Sequence, residues 1–308
     1  MLKYFIILLD DTSTSFCHYN NGKSESRLIE IDTLKSGINF AMMENLAIQF
    51  VYSNKNLPLE YQSIVNKTNN TSITPQENTL KGDIVVINTW EMNKVQNGVY
   101  VLRTNKSQFF ERYYEIVKSL NTVNRLNIMF TDLETFTDSD MQKYKMVLCK
   151  LKEKIKDCYI NGKHPQLNIL TDRLSLKEMN NCNAGYESIT LAPNGKFYIC
   201  PAFYYDNNGF DIGDLENGVC IKNPQLYKLK YAPLCKNCDA FQCKRCIYLN
   251  WKTTKEVGIP SHEQCVAAHI ERNTSQQLLN ELRKFGNYLS ETVMQDIDYL
   301  DPIEIINK

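Results

Sequence analysis

The sequence predicts an α/β fold followed by a cysteine-rich C-terminal part, and three observations predict it. Between residues 3 and 173, short apolar runs alternate with amphipathic stretches, the pattern of a parallel α/β unit. Several of those runs end at polar residues such as Asp10, Ser53 and Thr131, and polar strand ends are where such folds build sites. Cys17, Cys149 and Cys158 are scattered, whereas Cys182, Cys200, Cys220, Cys235, Cys238, Cys243, Cys246 and Cys265 crowd together late in the chain.

The apolar runs 4–9, 48–52, 84–87, 126–130 and 167–170 are candidate buried strands, with 99–103 a further short one. Between them, Phe109, Phe110, Tyr113, Val117 and Leu120 share one helical face, and Tyr144, Leu148, Leu151, Ile155 and Cys158 share another; both stripes are expected to pack on a sheet. Cys149 and Cys158 ride on the second helix without metal spacing, so they read as small buried hydrophobes. Residues 66–77 (NKTNNTSITPQE) are rich in Asn, Thr and Ser and contain Pro75, which predicts a surface loop. Gly37, Gly82 and Gly98 are isolated, so no glycine-rich loop cradles a phosphate.

The chain has 308 residues, 43% apolar and 23% charged, enough for one large or two modest domains with a sizeable core. Lysine plus arginine balances aspartate plus glutamate at 35 each, which removes the electrostatic case for a dedicated nucleic-acid or polybasic membrane binder. The N-terminal apolar run stops at Asp10 and Asp11, too short for a signal-peptide core or a membrane span, and a cytoplasmic protein is expected. There thiols stay reduced, so the 11 cysteines are expected to hold metal or do redox work.

The strongest local signal is YESITLAPNGKFYIC, ending at Cys200. Ile189 and Leu191 alternate into Asn194-Gly195, and Phe197 and Ile199 alternate out, which describes a hairpin with a tight turn flanked by Cys182 and Cys200. Then come Cys235-Lys-Asn-Cys238, four residues, Cys243-Lys-Arg-Cys246, and Cys265 after a further eighteen. Two Cys-x-x-Cys knuckles plus distant cysteines suit thiolate-bound metal. Zinc and iron–sulfur both use thiolates, but the four-residue gap is short for a zinc ribbon, and seven cysteines fit two sites better than one.

This order, with four residues between Gly195 and Cys200 and the flanking Ile212-Gly-Asp-Leu215, resembles the SPASM domain of radical SAM peptide-modifying enzymes, although the spacings within the cysteine quartet are slightly shorter. The resemblance implies a partial (β/α) barrel of radical SAM type, then a SPASM-like domain with a β-hairpin and C-terminal helices. It also implies two auxiliary iron–sulfur clusters, both of the 4Fe–4S type: Cys235, Cys238, Cys243 and Cys265 on one, Cys182, Cys200 and Cys246 on the other. The second lacks a fourth ligand, which Cys220 or a substrate thiolate could supply; zinc is the alternative metal. The corresponding domains are residues 1–174, 175–271 and a helical tail 272–308, where Leu278, Leu279, Leu282 and Phe285 form an amphipathic stripe.

Radical SAM enzymes follow their first strand with Cys-x3-Cys-x2-Cys, but here Ser13, Cys17 and Asn20 stand at those positions. Ser53 and Asn54 replace residues of the Gly-Gly-Glu-Pro segment after the second strand. Cleavage of S-adenosylmethionine by this chain alone is therefore not expected. The combination resembles the CXXX repeat peptide maturase family, through residues 8–19 (LLDDTSTSFCHY) and 40–52 (FAMMENLAIQFVY). That resemblance implies maturation of a ribosomally made cysteine-repeat precursor peptide beside a true radical SAM partner enzyme, with this chain binding substrate or relaying electrons; whether it is itself an enzyme stays open. The alternative is a structural zinc-knuckle module that binds peptide without redox function. A third reading makes Cys17 a catalytic nucleophile, although neighbouring Cys17 and His18 on an extended segment point apart. His262 and His269 read as surface or helix-capping residues rather than ligands.

Overall fold

The computed structural model describes residues 2–87, 95–179, 183–206 and 209–294. Strands β1 (Tyr4–Leu8), β2 (Ala47–Val51), β3 (Asn70–Pro75), β4 (Ile84–Ile87), β5 (Val99–Thr104), β6 (Arg125–Phe130) and β7 (Gln166–Leu167) lie side by side in chain order, each parallel to the next. Helices α1 (Ile31–Met43), α2 (Leu59–Val65), α3 (Lys106–Ser119) and α4 (Asp138–Ile160) make the crossovers β1–β2, β2–β3, β5–β6 and β6–β7, as parallel strands commonly require, while β3 passes to β4 through residues 76–83 without a helix. β8 (Ser188–Leu191) joins the free side of β1 in parallel, and β9 (Phe197–Tyr198) returns antiparallel, completing a nine-stranded sheet. This is the expected partial barrel.

Because β1 has partners on both sides, its sequence is apolar on both faces: Phe5, Ile7 and Leu8 are fully buried. Phe5 meets Phe40 of α1 and Phe197 of β9 at 5.4 and 5.9 Å between ring centres. A Cβ on Gly37 would stand 2.5 Å from Leu191 Cδ2, so this glycine sets how closely α1 approaches β8. The two predicted helical stripes occupy a second core, where Phe109, Ile116, Leu120, Tyr144, Leu148, Leu151 and Ile155 pack together. α4 starts with a capping box in which Thr137 and Asp140 satisfy each other's backbone N–H. Cys158 is buried and Cys149 half-buried on α4.

Two expectations from sequence are corrected. Residues 66–77 are not all loop, because 70–75 form β3; hydrogen bonding from both β2 and β4 outweighs the polar composition, and Pro75 sits at the strand's last position. The apolar run 167–170 is strand only at Leu167. Beyond it the Asn168 side chain bonds both Ile128 N–H (2.8 Å) and Ile128 C=O (3.0 Å), taking the place of a backbone ladder while the chain turns.

After α5 (Asp172–Ser175), the β8–β9 hairpin leads into α6 (Pro201–Tyr205). Its turn is longer than a two-residue loop: Gly195 N–H bonds Ala192 C=O at 3.0 Å, and Gly195 adopts φ +79°, a conformation suited to glycine. Ile212-Gly-Asp-Leu215 opens a small antiparallel ribbon of β10 (Gly213–Asp214) and β11 (Gly218–Val219), docked on the hairpin by Ile212 N–H to Phe197 C=O at 2.8 Å. Two helices follow, α7 (Ile247–Thr254) and α8 (His262–Leu282). α8 carries both Cys265 and the predicted stripe. Leu278, Leu279 and Leu282 are buried in the α3–α4 core, while Phe285 lies past the helix end and is exposed. Lys152 and Lys156 of α4 pair with Glu281 of α8. Among the described residues, no helix is long and apolar enough to cross a membrane.

Candidate metal centre

The two knuckles and α8 bring one group of thiols together. Cys235, Cys238 and Cys243 share a small apolar cluster with Met179 and Ala232. Burial, above all, holds the Cys243 thiol well above its ordinary pKa; the Arg245 N–H, 3.4 Å from the sulfur, opposes that, and Cys235, Cys265 and Cys238 add to it. Burial likewise pushes Cys235 up to about 11. The four thiols assigned to one cluster by resemblance are therefore electrostatic neighbours, fed by two loops and a helix. His269, one turn beyond Cys265, places Nε2 3.7 Å from Cys238 Sγ, so it faces the thiols rather than capping the helix or lying on the open surface.

Asp239, directly after the first knuckle, fixes this group to the fold. Its carboxylate accepts from Arg272 Nε at 3.0 Å and Nη2 at 2.7 Å on α8, and from Arg173 Nη2 at 3.1 Å on α5; all three residues are buried. Two guanidinium groups on one carboxylate offset the cost of burying these charges. Sequence reasoning missed this triad, whose only signal is an acid adjoining a knuckle and two arginines far away.

The second group is assembled around aromatic residues. Cys200 caps α6 and Cys246 caps α7, where the sulfur accepts Leu249 N–H at 3.5 Å. The Tyr248 phenol lies within electrostatic reach of both thiols. Cys220 is exposed just after β11, its N–H bonded to Ile212 C=O at 2.7 Å. Cys182 lies outside the described residues. Among the described residues, no three Cys, His, Asp or Glu side chains form a group able to hold a single metal ion. The chemistry of the gathered donors, soft thiols with N–H groups directed at sulfur, fits thiolate-bound iron–sulfur.

The barrel mouth differs. Ser13 is fully buried, its hydroxyl donating to Val51 C=O at 2.9 Å and accepting Asp10 N–H at 3.1 Å. Arg103 of β5 donates to Cys17 C=O at 3.1 Å, Tyr19 C=O at 2.5 Å and Asn20 Oδ1 at 2.7 Å. Phe16 reaches into the barrel, lining with Ile6 and Gln49 a cavity of about 610 Å³ that opens near the strands' starting ends. Only Cys17 of the three positions has a thiol, and Ser13 and Asn20 spend their side chains on internal hydrogen bonds. This donor set does not fit a three-thiolate cluster. His18 bonds Phe130 C=O through Nδ1 at 2.7 Å, and burial drops its pKa to about 4. It lines a small cavity of about 60 Å³ with Gln242, Cys243 and Glu271.

A nine-stranded, almost wholly parallel half-open barrel with a thiol-rich appendage has solved counterparts. Hexahistidine-tagged anSMEcpe with bound AdoMet matches at TM-score 0.62 and 13% identity, covering 94% of this chain and 97% of that one. Native anSMEcpe with bound AdoMet and Cp18Cys peptide matches at 0.62 and 13%, covering 91% and 99%; the Kp18Cys peptide complex matches at 0.61 and 14%, with the same coverage. The fold is of the radical SAM type. anSME is a radical SAM/SPASM-type anaerobic sulfatase maturase. No protein-family model and no curated protein matches the chain. In this radical SAM-type barrel, sequence had located Ser13, Cys17 and Asn20, but not Arg103, the side chain that pins their loop. An arginine on an otherwise apolar strand was its only signal.

Proposed function

We propose that the protein belongs with the CXXX repeat peptide maturases and helps mature a ribosomally made, cysteine-repeat precursor peptide. It acts as a SPASM-type iron–sulfur protein beside a true radical SAM partner enzyme, binding substrate or relaying electrons. The observation that carries this reading is the contrast within one radical SAM-type fold: a first loop without three available thiolates, and a C-terminal region that gathers four thiols around Cys243. Cys235, Cys238, Cys243 and Cys265 would hold one auxiliary cluster; Cys182, Cys200 and Cys246 would contribute to the other. When bound, such clusters supply one-electron transfer and sites for thiolate coordination. Burial among Met179, Ala232 and Phe241 shields the first group from water, and the Asp239 triad holds its loop in place. The solved neighbours with bound peptides support peptide binding by this fold. The reading assigns the protein to the cytoplasm, where thiols remain reduced.

The short gap between the two knuckles and the seven ordered cysteines favour two clusters over a single zinc site. Anaerobic purification with iron, sulfide and zinc quantitation tests the proposal. Iron and labile sulfide in similar amounts are expected, with no 5′-deoxyadenosine formed from S-adenosylmethionine by the reduced protein alone. Zinc without sulfide establishes the structural zinc-knuckle alternative, and sustained 5′-deoxyadenosine production refutes the reading of the barrel mouth.

A further inference from the structure

We propose that the barrel cavity at the strands' starting ends binds a carboxylate-bearing residue of the peptide, with Lys244 pairing with the carboxylate and Gln242 accepting that residue's backbone N–H; this deepens the peptide-binding reading above and rests on it. The cavity, about 610 Å³, has the size of sites that hold small ligands, so it takes a short extended segment rather than a folded partner. Tyr4, Arg125 and Ser188 line it as the first residues of β1, β6 and β8. Ile6 and Gln49, register partners on β1 and β2, line it two residues further along their strands. The second knuckle reaches the same space, because Gln242 and Lys244, on either side of Cys243, both line it.

The charges of this cavity are matched except at Lys244. Arg125 spends its guanidinium on Asp172 at 2.9 and 2.7 Å, Gln166 at 2.9 Å and Asn127 at 3.0 Å, and Lys3 pairs with Glu187. Lys177 and Glu178 are adjacent and exposed, where water and salt screen them. Lys244 is half-buried and makes no ion pair or hydrogen bond among the described residues. Glu271 shares the smaller neighbouring cavity with it, but is bonded instead to Tyr144 Oη at 2.6 Å and Gln242 Nε2 at 3.3 Å. The Lys244 charge is felt at buried His18, adding to the burial that lowers that histidine's pKa, so the ammonium faces inward. A half-buried cation without a counter-charge is costly, and a carboxylate from a ligand removes that cost.

A separate observation points to a ligand beside it. The Gln242 side chain is 6% exposed, its Nε2 donates to Ala268 C=O at 2.7 Å, and its Oε1 has no hydrogen-bond partner among the described residues. Buried acceptors are rarely left so, because the lost hydration costs free energy. An acceptor and a cation two residues apart on one loop match the N–H and the carboxylate of a single residue. In a peptide that residue is either the last one, with its terminal carboxylate, or an aspartate or glutamate.

The test is fluorescence anisotropy with the anaerobically purified full chain and a dansyl-labelled peptide that carries two Cys-Ala-Ala-Ala repeats, one aspartate and a free C-terminus. Lys244→Met is expected to weaken binding about tenfold or more, the loss of one charge-assisted contact, while Lys244→Arg stays within about threefold. Lys3→Met and Lys177→Met should match wild type. On the peptide side, amidating the C-terminus or replacing aspartate by asparagine identifies which carboxylate is bound: one of the two should weaken wild-type binding by the same factor and leave Lys244→Met unaffected. N-methylation of that residue's amide should weaken the wild type further. Wild-type binding that survives removal of both carboxylates overturns the proposal and leaves peptide binding standing, as does a loss in Lys3→Met or Lys177→Met equal to that in Lys244→Met. An N-methylated peptide bound as tightly as its parent overturns the role of Gln242, and wild-type protein that binds no peptide overturns both the proposal and the reading beneath it.

Discussion

The barrel mouth and the thiol region belong to one fold, yet the first is built on hydrogen bonds and the second on a small apolar cluster. At the mouth, Ser13, Asn21 and Arg103 bond the loop's backbone, Thr12 and Ser26 donate to the Asp10 carboxylate, and Arg27 donates to that of Asp11. Around Cys235 and Cys243 the apolar cluster is small, and buried thiols occupy places where larger hydrophobes would otherwise pack. The first loop is held by hydrogen bonds between its own polar groups and the barrel, whereas the second gathers thiols. The contrast lies within one radical SAM-type architecture.

The largest effect expected from breaking this contrast comes from removing metal. Cys235→Ser, or chelation of the reconstituted protein, should cost several kcal/mol in the C-terminal region, because a site formed only on folding contributes to folding free energy. Hydrogen exchange checks it: residues 229–246 should lose protection while β1, β2 and β6 keep theirs. Equal protection before and after chelation would mean that the thiol region, like the mouth, is ordered by protein contacts alone.

Next in size is the mouth's own clamp. Arg103→Ala leaves the Cys17 and Tyr19 carbonyls and the Asn20 amide without their charged donor, and should destabilise the fold by about 3 kcal/mol in urea unfolding. Arg103→Lys should recover only part of this, because a single ammonium cannot reproduce the guanidinium fork. A loss below about 0.5 kcal/mol would show that the loop is held by something other than these bonds.

A smaller, pH-dependent effect sits between the two regions. Burial raises the Glu271 carboxyl to about 7, against the opposing hydrogen bonds from Tyr144 and Gln242. The folded state therefore binds this proton more tightly than the unfolded chain, so stability from this group is full below about 4.5, falls as pH rises, and is gone above about 7. Glu271→Gln removes the decline and should gain on the order of 2 kcal/mol relative to wild type between pH 5 and pH 8. Parallel pH–stability curves for the two proteins would count against the shift. The smallest effect belongs to α4: Cys158→Ala should cost about 1 kcal/mol and change no metal content, since this buried thiol fills the core and bonds Leu120 C=O at 3.8 Å.

Much of this was legible in one dimension. The strands β1, β2, β4, β5 and β6 follow from apolar runs flanked by turns, and the α3 and α4 faces follow from helical spacing, because burial imposes these periods on sequence directly. The hairpin before Cys200 was readable from Asn194-Gly195 for the same local reason. β3 was not, since its order comes from neighbours on both sides rather than from its own polar residues.

By itself the sequence determined the α/β class, the spacing of two cysteine knuckles, and the presence of Ser13 and Asn20 where thiols would be needed. Only the tertiary structure decided that Arg103 pins the first loop, that Asp239 joins Arg173 and Arg272, that His269 turns toward Cys238, and that Tyr19 lies beside both Cys17 and Cys200. The physical reason is one of range. Periodicity and turn chemistry act over a few residues and leave their mark in the chain, whereas ion pairs and thiol neighbourhoods join residues that meet only after the barrel has curved and α8 has packed back across it.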